Sequence, residues 1–214
     1  TLIFVSTDKA CKPINIYGMC KAISEKLYYN YSESSGNTKV VMVRYGNVLE
    51  STGSVIPYFK KLIEDGEKYL PITHPEMTRF LLTLDDATDL IDWAYNYKKS
   101  HGKIAVPKIK AMKIVDMANC LIQKQDLLKQ MSFDFIEDGV PDSGIKLKIV
   151  GIRPGEKLHE ELISEEEWLR TEEHDNFLIG TKTTNDELWS YNSRDSLMDD
   201  SETYQFLKDS GVIK

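Results

Sequence analysis

Two short apolar runs on either side of one long helical stretch most constrain the fold of this chain. Residues 1–5 (TLIFV) are rich in β-formers and stop abruptly at Ser6, which predicts a buried strand. Residues 15–34 carry apolar side chains at the helical period, with Asn15 as the N-cap, and residues 39–45 (KVVMVRY) again predict a buried strand. A strand, a helix and a strand in this order favour a parallel sheet with a right-handed crossover.

The remainder of the sequence predicts alternating short strands and helices. Helices are expected after a cap at Ser54, from Thr83 to a stop at Gly102, over 112–128, after 153–156 and near the C-terminus. The expected strands are 69–73, 79–82, 104–106, 146–152 and 176–180. The helix that starts at Thr83 is expected to turn inward Leu84, Ala87, Leu90, Ile91, Ala94 and Tyr95. Residues 123–144 look like a charged loop to which we assign no function, and 183–200 like an irregular segment.

Composition excludes several classes of function. The chain has 41% hydrophobic and 29% charged residues, which is ordinary for a soluble globular protein. Its net charge of -7, without a basic stripe, argues against nucleic acid, and no apolar run approaches the ~18 residues of a membrane span. Three cysteines do not form a disulfide framework, so a reducing, cytoplasmic compartment is expected. The four histidines lack metal-ligand spacing, so no metal is expected.

The candidate chemistry lies at the end of the first strand and on the helix that follows. Tyr17 and Lys21 are four residues apart and therefore share one helix face. An ammonium beside a phenol favours the phenolate, which can take a proton from a hydroxyl while a hydride leaves the same carbon. This pairing alone is a weak signal. Thr7, Asp8 and Lys9 strengthen it, because they follow the strand where open α/β sheets place their ligands.

Several blocks of the sequence resemble the inverting UDP-N-acetylglucosamine 4,6-dehydratases, which are extended short-chain dehydrogenases. The blocks are Val5–Ala10 (VSTDKA), Pro13–Gly18 (PINIYG) with Lys21, Arg44–Val48 (RYGNV), Gly53–Pro57 (GSVIP), Met77–Phe80 (MTRF) and Gly151–Glu160 (GIRPGEKLHE). They occur in the family's order across about the first 165 residues, which makes the joint match very specific. Tyr17 favours the inverting branch, since the membrane-anchored retaining branch that this chain also resembles has Met there.

The resemblance implies a reaction in three parts and a role for each catalytic residue. NADP takes a hydride from sugar C4, water is lost across C5 and C6, and the hydride returns to C6. Tyr17 would be the base at the 4-hydroxyl, and Lys21 would hold the cofactor ribose. Asp8 would protonate the departing 6-hydroxyl, Lys9 would remove the C5 proton, and Thr7 would position the 4-oxygen. Protonation of C5 on the opposite face would give a 4-keto-6-deoxy sugar of L configuration.

The resemblance also implies a substrate site and a cofactor contact. The residues that would bind the UDP-sugar are Lys9, Asn47, Ser54, Val55, Arg79, Arg153 and Glu156. The two arginines suit a diphosphate, because guanidinium groups bind phosphate oxygens bidentately. Val48 would lie against the cofactor.

The fold class implied is α/β: the second half of a Rossmann-type doubly wound parallel sheet with a small α/β substrate-binding lobe. Residues 1–50 would be the C-terminal part of the NADP-binding domain and carry the catalytic residues. Residues 51–182 would mainly form the lobe, with about 83–110 returning to the sheet, and 183–214 would be a C-terminal tail. The expected partners are a UDP-sugar, the N-terminal half of the same protein and a second copy.

The chain departs from the family in one respect, and its residues are compatible with more than one activity. It lacks the Gly-rich turn that cradles the cofactor pyrophosphate, so we expect it to be the later part of a longer protein and inactive alone. A UDP-sugar 4-epimerase would share the Tyr–Lys pair. A UDP-glucose 4,6-dehydratase or a non-catalytic nucleotide-sugar-binding fragment would also be compatible with these residues.

Overall fold

The computed structural model describes residues 1–122 and 145–213, so the predictions made for 123–144 lie outside the described residues. The strands are β1 (Leu2–Val5), β2 (Val40–Val43), β3 (Asn47–Val48), β4 (Tyr69–Ile72), β5 (Thr78–Leu82), β6 (Ile104–Val106), β7 (Ala111–Lys113), β8 (Lys146–Ile149), β9 (Glu161–Ile163), β10 (Thr171–Glu173), β11 (Phe177–Ile179) and β12 (Tyr191–Asn192). The helices are α1 (Ile16–Ser34), α2 (Val55–Glu64), α3 (Leu84–Asn96), α4 (Ile114–Ile122), α5 (Glu165–Trp168) and α6 (Asp200–Asp209).

A five-stranded sheet in the order β1-β2-β6-β11-β10 forms the centre of the fold. Strands β1, β2 and β6 are parallel, with Leu2 opposite Val40 and Met42 opposite Ile104. The predicted strand-helix-strand unit and its parallel pairing are therefore confirmed. Strands β11 and β10 extend this sheet in antiparallel fashion. The sequence did not predict β10, because its residues, Thr-Glu-Glu, do not read as a strand.

Helices cover both faces of this sheet, as a doubly wound architecture requires. Side chains alternate between the faces along a strand, so Val41 and Val43 contact α3 through Leu90 and Ala94. On the other face α1 packs against β1 and β2, where Tyr28 stacks on Phe4 with ring centroids 4.5 Å apart. The Rossmann-type α/β fold class is confirmed.

Helix α3 buries a narrower stripe of side chains than the sequence predicts. It also ends earlier, at Asn96 instead of near Gly102. Ala87, Leu90 and Ala94 are buried, but Leu84 is 66% exposed and Tyr95 53% exposed, so the inward prediction for these two is wrong. Because successive residues are about 100° apart around a helix, Leu84 and Tyr95 point in directions far from that of Leu90 and lie at the edge of the apolar face.

Helix α1 begins at the predicted residue, but the apolar side chains that recur along it with the helical period face outward. The Asn15 side chain accepts a hydrogen bond from the Gly18 amide at 2.8 Å, which confirms the N-cap. Ile23 and Leu27 are 61% and 62% exposed, while Glu25 is buried. The apolar period therefore marks a stripe on the outer face of α1.

The region predicted to form a substrate-binding lobe contains small sheets and a separate hydrophobic core. Strands β4 and β8 are parallel, and β3, β5 and β7 form a second sheet. Phe59, Leu70 and Met117 are fully buried there, and so is Leu207 of α6, which packs against α4. The terminal helix is confirmed; the helix expected after 153–156 is only the four-residue α5, preceded by β9.

None of the described helices is both long enough and apolar enough to span a membrane.

Candidate active site

A single 3-10 turn, Asp8–Ala10, follows β1 and carries two of the predicted catalytic side chains, with a third, Thr7, capping it. The Thr7 hydroxyl donates to Asp8 Oδ1 at 2.9 Å, and Lys9 Nζ donates to the same oxygen at 3.0 Å. Lys9 Nζ also donates to Asn47 Oδ1 at 3.1 Å. The structure therefore brings an acid, an amine, a hydroxyl and an amide within hydrogen-bonding distance at the carboxyl end of a parallel strand.

The carboxyl group of Asp8 is withdrawn from solvent. Asp8 is 0% exposed, and its Oδ2 has no hydrogen-bond partner among the described residues. A buried acceptor without a partner costs about 1–3 kcal/mol. Such a cost is common where a site awaits a ligand or performs chemistry.

The N-terminus of α1 lies directly against this turn. A Cβ atom on Gly18 would lie 2.2 Å from the Lys9 carbonyl oxygen, so a residue with a side chain does not fit there without movement. This close approach fixes Tyr17, the neighbour of Gly18, relative to the Asp8–Ala10 turn.

Tyr17 and Lys21 share one face of α1, as their spacing predicts. Lys21 Nζ lies 5.9 Å from the Tyr17 ring centroid and donates to the Val5 carbonyl at 2.9 Å. Tyr17 is 54% exposed. Burial, and after it the charge of Tyr17, raises the pKa of Tyr45, so these two phenols lie within electrostatic reach of each other.

A buried cluster of ion pairs formed by Arg44, Glu25 and Glu167 supports the turn from the interior of the protein. We call this cluster the Arg44 clamp. Arg44 is 1% exposed and donates to both carboxylate oxygens of Glu25, at 2.9 and 2.6 Å. It also donates to both oxygens of Glu167, each at 2.9 Å. Ser6, which directly precedes Thr7, donates to Glu25 Oε1 at 2.6 Å. Burial alone would raise the pKa of Glu167, but the charge and hydrogen bonds of Arg44 outweigh it and lower that pKa to about 2.

A cleft of about 760 Å³ opens beside the turn. Its lining includes all of the residues that the resemblance assigns to the substrate, namely Lys9, Asn47, Ser54, Val55, Arg79, Arg153 and Glu156. The structure thus gathers these residues in one cavity, and their individual contacts with a substrate stay predictions. Three residues assigned to the cofactor, Tyr17, Lys21 and Val48, are not among the lining residues.

The two arginines occupy different depths of this cleft. Arg79 is 8% exposed, and its Nη1 donates to the carbonyls of Thr78 at 2.7 Å and Leu158 at 3.3 Å. The Arg153 side chain is 77% exposed, and its Nε lies 3.5 Å from Glu156 Oε2. Arg79 is therefore fixed before any ligand binds, whereas Arg153 is free to turn toward one at the mouth of the cleft.

The turn that carries Arg153 and Glu156 is tied to the start of α1. The Asn15 side chain donates to the Gly155 carbonyl at 2.9 Å. Gly155 has a φ of +83°, a conformation that residues with side chains rarely adopt. The mouth of the cleft is thereby held close to the helix that carries Tyr17.

Sequence reasoning gave no role to Glu160, which also lines the cleft. Glu160 is 3% exposed, and its Oε2 has no hydrogen-bond partner among the described residues. Burial, followed by the negative charge of Asp8, raises the pKa of Glu160, while Lys9, Arg79 and Lys157 act in the opposite direction. Glu160 belongs to one of the blocks that carry the resemblance, and this was the only signal in the sequence. Other lining residues without an assigned role include Tyr58, Phe59, Thr73 and Met77.

Within residues 1–122 and 145–213, no group of three or more histidine, cysteine or acidic side chains is placed to hold a metal ion. His159 instead hydrogen-bonds through Nδ1 to the Thr78 hydroxyl at 2.8 Å.

The sequence and the fold were compared with those of known proteins. A family model described as "Polysaccharide biosynthesis protein" matches residues 1–182. An inverting UDP-N-acetylglucosamine 4,6-dehydratase of Campylobacter jejuni is 42% identical over 178 residues, which are 82% of this chain and 47% of that protein. A UDP-glucose 4-epimerase of Rickettsia rickettsii is 39% identical over 174 residues, which are 80% of this chain and 46% of that protein.

The solved structure of Pen from Bacillus thuringiensis has 28% sequence identity and a TM-score of 0.82, over 99% of this chain and 63% of that one. The chain spans about half the length of the curated relatives it matches.

Proposed function

Because this chain belongs to the polysaccharide biosynthesis protein family, we propose that it is the catalytic and substrate-binding part of a nucleotide-sugar 4,6-dehydratase. The substrate proposed is UDP-N-acetylglucosamine, the cofactor NADP, and the configuration at C5 is inverted. The observation that carries the proposal is the pairing of Asp8 with Lys9 at 3.0 Å beside a cleft that also contains Arg79 and Arg153. An elimination needs a base for the proton on one carbon and an acid for the leaving group on the next, and this pair supplies both once the proton that Lys9 donates to Asp8 has moved onto the carboxylate. The dehydratase of Campylobacter jejuni, 42% identical, supports the choice of substrate.

In the proposed mechanism each side chain moves or holds one proton. Tyr17 takes the proton of the 4-hydroxyl, and the nearby Lys21 ammonium stabilises the phenolate that precedes this step. The resulting 4-keto group makes the C5 proton acidic, and Lys9 removes it. Asp8 gives a proton to the 6-hydroxyl, so that the C6–O bond breaks, water leaves and a C5–C6 double bond forms. Protonation of C5 on the face opposite Lys9 inverts that carbon.

The cofactor would bind on the Tyr17 side of the turn. Bound NADP would supply the hydride acceptor for C4 and the hydride donor for C6. Lys21 is suited to the cofactor ribose, because its ammonium is anchored on the Val5 carbonyl and carries further protons to donate. Val48, at the start of the loop that leads to α2, is proposed to contact the nicotinamide side.

Two protein partners belong to this proposal. The first is the remaining half of a longer protein, supported by the match to about half of each curated relative. The second is another copy of the same protein. The exposed stripe on α1, with Ile23 and Leu27 more than half exposed, supports pairing through this helix.

The decisive experiment is mass spectrometry of the product that the full-length protein forms from UDP-N-acetylglucosamine with NADP. Loss of one water, with a solvent proton incorporated at C5, is expected. Lys9→Ala should abolish the loss of water, because Lys9 is the one amine among the described residues within hydrogen-bonding distance of Asp8. Turnover of UDP-glucose alone would contradict the substrate, and full activity of Lys9→Ala would favour a non-catalytic binding role for this site.

A 4-epimerase is the second candidate, favoured by the relative from Rickettsia rickettsii. Epimerisation needs a base at the 4-hydroxyl but neither an acid at C6 nor a base at C5. It would leave the mass of the nucleotide sugar unchanged, so the same measurement separates the two activities.

A further inference from the structure

Glu160 is a buried carboxylate whose hydrogen bonds are not made within the described part of the protein. Its side chain is 4% exposed, and the nearest cation to Oε1 is Arg79 Nε at 3.9 Å. Lys157 Nζ donates to the Cys11 carbonyl at 2.6 Å and lies 3.6 Å from Oε2, which is too long for a hydrogen bond. Two cations therefore neutralise the charge of Glu160, and Oε2 is left with no hydrogen-bond donor.

The surrounding backbone holds Glu160 firmly in place. Its amide donates to the Ser193 hydroxyl at 2.8 Å, and the Ser193 amide donates to its carbonyl at 2.8 Å. The strand β9 that follows packs against the turn that carries Asp8 and Lys9. Glu160 is thus a buried cleft-lining residue on a fixed backbone rather than a mobile surface residue.

Asp8 and Glu160 together supply what a departing hydroxyl needs. Each has one buried oxygen without a hydrogen bond among the described residues. Glu160 lines the cleft together with Lys9, and Asp8 accepts a hydrogen bond from Lys9. A hydroxyl group has lone pairs that accept a proton and one hydrogen that it donates. When Asp8 protonates a lone pair, the hydrogen of that hydroxyl still requires an acceptor. The Glu160 carboxylate lines the same cleft and can provide this acceptor, whereas Asn47 Oδ1 already accepts one hydrogen bond from Lys9.

We propose that Glu160 is a substrate-contacting residue whose Oε2 accepts a hydrogen bond from the leaving 6-hydroxyl and so turns a lone pair of that oxygen toward Asp8. This inference rests on the dehydratase function proposed above. Glu160 gains and loses no proton in the step: the C5 proton goes to Lys9, the Asp8 proton goes to the oxygen, and the water that leaves keeps its original hydrogen. The role is confined to elimination, because oxidation at C4 does not involve the 6-hydroxyl.

The test compares elimination with C4 oxidation in the full-length protein. Glu160→Gln keeps the shape of the side chain and removes its charge. Loss of a charge-assisted hydrogen bond should slow formation of the dehydrated product from UDP-N-acetylglucosamine about tenfold to a hundredfold. The 6-deoxy analogue of this substrate cannot lose water, but its C4 can still be oxidised, which appears as absorbance of the reduced cofactor. That signal should stay within about twofold of the wild type, since no 6-hydroxyl is involved.

The neighbouring Glu161 provides a matched control, because it is a glutamate of the same segment that pairs with Lys12 instead of lining the cleft. Glu161→Gln should leave both reactions unchanged. Elimination by the Glu160→Gln variant at the rate of the wild type would overturn the proposal. An equal loss of elimination and C4 oxidation would also overturn it and assign Glu160 a purely structural role. If the wild type neither dehydrates UDP-N-acetylglucosamine nor oxidises the analogue, the dehydratase function itself fails, and this inference fails with it.

Discussion

Glu167 shows how strongly one buried ion pair links the stability of this protein to pH. Its pKa is about 2 in the folded protein, because Arg44 outweighs the effect of burial, whereas its ordinary value is 4.5. A carboxyl whose pKa falls on folding stabilises the protein above its unfolded pKa. That contribution, about 3 kcal/mol here, is lost as the pH falls from about 4.5 toward 2.

The corresponding measurement is the free energy of unfolding in urea at a series of pH values between about 7 and 3. The wild type should lose stability steeply below about pH 4.5, and Glu167→Gln should be less stable at neutral pH but lose less on acidification. Glu165→Gln, an exposed glutamate of the same helix, should follow the wild type. Identical pH slopes for the wild type and Glu167→Gln would show that the Arg44 clamp does not control acid stability.

At the scale of elements, the contact between α1 and the catalytic turn determines how precisely the site is built. A methyl group on Gly18 would lie 2.2 Å from the Lys9 carbonyl, so Gly18→Ala must push α1 and the turn apart. We expect a loss of about 1–3 kcal/mol in stability, typical of overpacking, together with a larger fall in kcat than in substrate affinity. Ser24→Ala, at a half-buried position of the same helix whose hydroxyl bonds only the Cys20 carbonyl, is the control and should leave both unchanged. Chemical denaturation and steady-state kinetics of the full-length protein measure the two effects.

The elements also show what sequence patterns can predict here. β1, α1 and β2 were predicted within about two residues, because a long helical period between two β-rich runs leaves few other arrangements. β7, β9 and β10 were missed, since three-residue strands such as Thr171–Glu173 carry no period of their own and form only when a neighbouring strand offers its edge. The outward orientation of the α1 stripe was not predicted for a different reason: a helical period identifies an apolar face but not the direction in which that face points.

At the scale of the whole molecule, binding of the UDP-sugar and binding of the cofactor are expected to need different parts of the protein. Every residue assigned to the UDP-sugar lines a cleft formed by the described residues, whereas no Gly-rich phosphate-binding turn follows β1 in this sequence. We therefore expect UDP to raise the Tm of the 214-residue chain, and NADP to leave it unchanged. The full-length protein should respond to both ligands. Stabilisation of the chain by NADP alone would contradict this division of binding between the two parts.

The residues that line the cleft were predicted more completely than the energetics of the cleft. The family blocks pointed to all of the residues assigned to the substrate, because motifs name residues directly. They also include Glu160, but they could not show that its carboxylate lacks a hydrogen-bond partner, because that depends on where folding places Arg79 and Lys157.

The Arg44 clamp has a consequence for how related sequences can diverge. Its three members, Arg44, Glu25 and Glu167, come from distant parts of the chain, and replacement of Arg44 would leave two buried carboxylates without a counter-charge. In relatives that share this arrangement, Arg44 should therefore vary together with both glutamates. A lineage that lost the arginine would be expected to carry neutral side chains at both acidic positions.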